Sequence, residues 1–246
     1  MTSIDIEELK ANIDRFLGFF RSRLQEIRNV DCGESTALFR KVLYSSLLDA
    51  LSRTTSHPKR WNRNRERITE FIRTFCDWKD CERISLTHLV RLLEKVPDPA
   101  FSSLRQYAFS LIDKWGEGEI VSLARDPEFR DVKSRWPKEF QKPLEDVQIE
   151  FLQHVNLFYR NRNSLVHELS ELGYGMEFTA DDEPFYHSMS DTEGKSKSWE
   201  LVYPLRFYEK LCETAISELR NYYLKDRIDP YSCYYFGTYW IEELNK

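Results

Sequence analysis

The stretch FYRNRNSLVHE, residues 158–168, sets two Arg-Asn pairs ahead of one of the five histidines in the chain. It is either a helix with a charged surface or an arginine and a histidine paired for chemistry. Phe151, Val155, Phe158, Leu165 and Leu169 recur at helical spacing, and Arg162 takes the slot in that lane where the pattern calls for a leucine. A guanidinium so placed needs carboxylate, phosphate or carbonyl partners, because its charge is not lost at accessible pH. His167 follows five residues on, about 140° around an ideal helix, and shares the other face with Arg160, Asn163 and Ser164.

Arginine followed by histidine is a weak signal in a chain with 22 arginines, and Arg83-Ile-Ser-Leu-Thr-His88 shows the same spacing. Of five Arg-Asn pairs, only Arg162-Asn163 has a histidine at the fifth position after the arginine. The resulting RNSLVH resembles the motif of the HEPN superfamily, α-helical domains whose ribonuclease members carry Arg, a polar residue that is often Asn, three to five further residues, and His. One bacterial HEPN branch is similar in further features: LYSSLLDALSR early, an arginine-rich helix, and LVHE leading into GYG and WELVYP. The resemblance covers about residues 35–225.

The resemblance implies an endoribonuclease that needs no metal or other cofactor and acts as a homodimer, with two Arg/His pairs meeting in an interface cleft. His167 would take the 2′-OH proton or protonate the leaving 5′-oxygen, imidazole being the side chain suited to both roles near neutral pH. Arg162 would hold the scissile phosphate and stabilise the charge of the transition state, with Asn163 positioning one of them or binding a phosphate oxygen. A 2′,3′-cyclic phosphate would result. A toxin or antiphage effector cutting cellular RNA, under the control of an antitoxin or sensor protein, is the expected role. Ser164 and Glu168 flank the motif as supporting side chains, and Asp49 in SLLDALSR is a candidate to orient Arg162 or His167. Asp49 is equally suited to an i, i+4 ion pair with Arg53.

Alternatives stay open. Arg160, seven residues before His167 on one helical face, rivals Arg162 for the arginine role. His167 beside Glu168 is also what an ordinary surface histidine looks like. Lys59, Arg60, Arg63 and Arg67 form a basic patch near Trp61 suited to RNA, although Glu66 and Glu70 stand within pairing reach, as on a solvated charged face. A non-catalytic nucleotide- or RNA-binding module and a helical interaction scaffold are the rival functions. HEPN toxins paired with a nucleotidyltransferase antitoxin carry a modifiable tyrosine two residues after the histidine, and this chain has Leu169 there.

The elements that must position these residues are mainly helical. Amphipathic spacing predicts helices over 4–28, 36–55, 61–78, 85–96 with Ser85 as N-cap, 101–115, 144–172 and 206–224. Aromatic and β-branched runs on either side of SDTEGK predict a small β-hairpin or ordered loop near 176–204. The expected division is an N-terminal helix (1–30), a HEPN-like helical bundle (31–225) and an aromatic tail packing on the body (226–246).

Other chemistries lack their motifs. There is no GxGxxG, P-loop, HExxH or GxSxG, and Cys76-x4-Cys81 with His88 lacks an evident fourth zinc ligand. Five cysteines without a CxxC pair suit a reduced cytoplasm. The net charge of −5 argues against indiscriminate nucleic-acid binding, and neither a signal peptide nor a membrane span is expected.

Overall fold

The computed structural model describes residues 5–55, 64–116, 118–138, 147–177, 181–190 and 197–234. Lys59, Arg60, Arg63, the SDTEGK turn from residue 191 and the tail beyond 234 lie outside them. The protein is mainly helical, with a small antiparallel sheet of three strands. The chain forms two compact units, Met1–Asp77 with Glu209–Lys246, and Trp78–Tyr208.

In the first unit, α1 (Ile6–Arg28) buries Leu9, Ile13, Phe16, Leu17, Phe20, Leu24 and Ile27, the lane its sequence spacing predicts. Phe16 stands edge-on to Tyr223, Tyr231 and Tyr234. The described part of the aromatic tail therefore closes over α1. Helix α2 (Thr36–Arg53) and α3 (Asn64–Phe75) complete this unit with the Glu209–Asp226 part of the last helix. Arg28 bonds Glu209 at 2.6 Å and also Glu213, fastening α1 to that helix.

The second unit holds α4 (Leu86–Lys95), α5 (Ser102–Ile112), β1 (Ile120–Ser122), α6 (Phe129–Arg135), α7 (His154–Glu168), β2 (Phe185–Ser190), β3 (Lys197–Val202) and the start of α8 (Leu205–Asp226). Its sheet runs β1-β2-β3, with Val121 opposite Tyr186 and Tyr186 opposite Leu201. The β2–β3 pair is the hairpin predicted near 176–204, while β1 and α6 arise where no regular element was expected. Trp78 packs against Phe158, Tyr203 and Phe207 at 4.9–6.0 Å between ring centres, so one indole ties α7 to the strand–helix connection after β3.

Helix α7 is shorter than the predicted 144–172. Residues 149–152 form a 3-10 turn, and Gln153 pairs with Ile84 in an isolated bridge. The N–H groups of His154 and Val155 donate to the carbonyls of Arg83 and Cys81, at 3.1 and 2.8 Å. The orphan donors of the first turn are thus satisfied by a distant loop, a device that sequence periodicity does not reveal. At the other end Leu169 adopts a left-handed conformation (φ +52°) and its N–H returns to the Ser164 carbonyl, stopping the helix there.

The N-cap of α4 differs in the same way. Ser85 occupies the cap position, but its Oγ bonds Thr87 Oγ1 and His88 Nδ1. The backbone N–H of Leu86 instead donates to Asp126 Oδ1 at 2.9 Å. A carboxylate 40 residues away caps the helix.

Candidate functional site

On α7, Val155, Phe158 and Leu165 are buried, which makes that lane the inner face of the helix. Phe151 is half-buried and Leu169 is exposed, so the lane fades at both ends. Arg162 is half-buried within it, and its Nη1 donates to Asn163 Oδ1 at 3.1 Å. His167 is exposed in the last turn. Ser164, expected beside His167 on the outer face, is buried, and its hydroxyl donates to Glu168 Oε2 at 3.1 Å. The structure therefore sets Arg162 and Asn163 together, and Ser164 and Glu168 together, with His167 facing solvent between them and the helix end.

Arg160 is exposed, with its guanidinium over the Phe151 ring at 5.4 Å. Asp49 belongs to the first unit, where it pairs with Arg53 at 3.2 Å and with Arg67. Arg67 also donates to Ser52 Oγ at 3.0 Å, so its charge is spent on fastening α3 to α2 rather than offered to solvent. Arg83 is likewise structural, bonding Asp80 at 2.8 Å, Glu128 at 2.6 Å and the Asp126 carbonyl at 2.6 Å.

Sequence spacing passes over a second group of residues. Beside α7 lies a cavity of about 220 Å³ whose polar lining includes His88, Arg91, Arg160, Glu171 and Glu200. Arg91 Nη2 donates to Glu200 Oε1 at 3.0 Å across its wall. His88 Nδ1 is 2.8 Å from Ser85 Oγ, and the Tyr186 hydroxyl, a further neighbour of that oxygen, stands 2.9 Å from it and 2.8 Å from Asp126 Oδ2. His154 Nε2 meets the same carboxylate oxygen at 2.6 Å. A buried chain Asp126, Tyr186, Ser85, His88 thus ends at the cavity and fixes the imidazole. Burial holds the Tyr186 phenol protonated, and the Asp126 charge adds to the effect. Burial pushes the His88 imidazole down to about 3, with Arg91, His154 and Arg160 acting in the same direction. His88 is neutral at physiological pH.

Compared with family models, with curated proteins and with solved structures, the chain matches none. Its function is therefore argued from its own residues. Among the described residues, no group of three or more His, Cys, Asp or Glu side chains is arranged to hold a metal ion, and no helix is long and apolar enough to cross a membrane.

Motif spacing gives no sign of Asn161, which belongs to an Arg-Asn pair without a histidine at the required position. It is buried; its amide donates to Tyr208 Oη at 2.8 Å and its carbonyl oxygen accepts the Leu172 N–H at 2.9 Å. It ties the segment after α7 back onto the helix. The available signal was its place three residues after Phe158 on the inner face.

Proposed function

We propose that the protein is a metal-independent endoribonuclease of HEPN type, a toxin or antiphage effector that cuts RNA with Arg162, Asn163 and His167. The observation that supports this best is the placement of RNSLVH at the exposed end of α7. There Arg162 is half-buried and oriented by the Asn163 carbonyl, and His167 is open to solvent. A guanidinium held in this way offers a preorganised fork to a phosphodiester, and an exposed imidazole is free to exchange protons with water between turnovers.

Five residues of ideal helix separate the two side chains by about 7.5 Å of rise and 140° of rotation. One copy of α7 does not aim both groups at one phosphate, which is why the reading includes a homodimer in which two helices face each other. His167 removes the 2′-OH proton, the 2′-oxygen attacks phosphorus, and the 5′-oxygen leaves with a proton supplied by an imidazolium or water. Arg162 carries the added negative charge of the phosphorane. The products are a 2′,3′-cyclic phosphate and a 5′-hydroxyl. The test is incubation of wild-type protein and His167→Ala with RNA in EDTA, with analysis of fragment ends.

A non-catalytic nucleotide- or RNA-binding module is the second reading. The cavity beside Arg160 favours it, because it offers a binding site that does not require His167.

A further inference from the structure

Several sequence features stay outside this mechanism: GYG at 173–175, WELVYP at 199–204, His88 and Arg160. The fold brings them to one place. Gly173 has φ +81°, and a Cβ there would lie 3.2 Å from Glu200 Oε2. A Cβ on Gly175 would overlap Val202 Cγ2. Both positions need glycine because the segment after α7 lies directly on β3. The Tyr174 N–H faces Glu200 Oε2 at 3.4 Å, while the residue as a whole is 82% exposed.

At about 220 Å³ the cavity is smaller than the roughly 300–1,000 Å³ of sites for drug-sized ligands, so it suits a single ring system. Its lining is chemically mixed. Arg91 and Arg160 supply donors, the buried Glu200 and the exposed Glu171 supply acceptors, and the half-exposed Trp199 supplies an aromatic surface. A bare anion would meet two carboxylates. A base, whose edge presents donors and acceptors side by side and whose faces stack, is matched by all of these groups. Arg160 makes no ion pair among the described residues and rests on Phe151 at the cavity, available to the phosphate attached to such a base. It precedes His167 by seven residues on the same stripe of α7, about 10.5 Å along the axis.

We infer that this cavity is a base-binding subsite, taking one nucleotide of a single-stranded RNA near the phosphodiester that His167 faces. Its role in choosing the cleavage position rests on the ribonuclease reading, whereas base binding itself does not. Gly173 and Gly175 shape the wall, Trp199 stacks, and the Arg91–Glu200 pair reads the base edge.

The test uses full-length protein carrying His167→Ala, titrated calorimetrically with the four nucleoside 3′-monophosphates and with ribose 5-phosphate. At least one nucleotide should bind, ribose 5-phosphate should not, and both Arg91→Gln and Trp199→Ala should weaken binding tenfold or more. Since Trp199→Ala removes packing against Trp115, saturation-transfer NMR on the unaltered cavity provides a second measure, with transfer expected at the base protons. Absence of binding, equal binding of ribose 5-phosphate, or insensitivity to Arg91→Gln would overturn the inference. In the otherwise wild-type enzyme, Arg91→Gln should relax base preference beside the cut, and an unchanged cut pattern would count against the subsite. Base-dependent binding by a protein that cuts no RNA would sink the nuclease reading and leave the subsite standing.

Discussion

Acid should destabilise the fold partly through His88, and replacing that residue should remove this share. In the folded chain the imidazole stays neutral down to about pH 3, because burial and then Arg91, His154 and Arg160 oppose its protonation. In the unfolded chain it titrates near ~6.5. Between these values the unfolded state binds a proton that the folded state refuses, so stability falls as pH falls. The contribution is fully present above about pH 6.5 and is lost progressively toward pH 3. Glu200 and Glu171, which share the cavity, act against the two arginines. One site costs about 1.4 kcal/mol per pH unit across this window, or about 2 kcal/mol at pH 5. Because the ring is partly open to the cavity, about 1–2 kcal/mol is the working figure. His88→Asn retains a polar group near the Nδ1 position for Ser85 Oγ and removes the titration. Urea denaturation at pH 7.5 and pH 5 should show wild type losing about 1–2 kcal/mol more than the variant. Equal losses, or an NMR titration of His88 near pH 6, would refute this account of the buried chain.

Three further outcomes follow from the same geometry. Gly175→Ala places a methyl group into Val202 and should cost about 1–3 kcal/mol in chemical denaturation, with a change in the environment of Trp199. Asp126→Ala leaves the Leu86 N–H, His154 Nε2 and Tyr186 hydroxyl without their shared acceptor, and a loss of about 3–5 kcal/mol is expected by the same assay. If Arg162 stabilises the transition state, Arg162→Ala should lower single-turnover RNA cleavage by about 10²–10³-fold, with a smaller effect of Arg160→Ala; the reverse order would move the catalytic role to Arg160.

Much of the helical scaffold was legible because helices such as α1 bury a lane that repeats in the sequence. The limits of α7 were not, since its first turn is satisfied by carbonyls of residues 81 and 83 and its end is a left-handed leucine. Strand β1 has only three residues, too few for an alternating pattern, and exists because β2 is there to pair with it. The RNSLVH motif was visible as local spacing. The cavity was not, since Asp126, Ser85, Tyr186 and His88 meet only after folding and the Arg83 to His88 spacing carries no information about them. The Asp49–Arg53 pair followed the ordinary i, i+4 expectation, whereas the Arg67 contact depended on the packing of α2 and α3.

The central claim is best tested by adding purified wild-type protein and His167→Ala to total and transfer RNA in EDTA and reading the 3′ ends of any fragments. The account predicts cleavage by wild type with 2′,3′-cyclic phosphate ends and loss of that cleavage in His167→Ala. Cleavage that survives in His167→Ala, or that stops in EDTA, would contradict it.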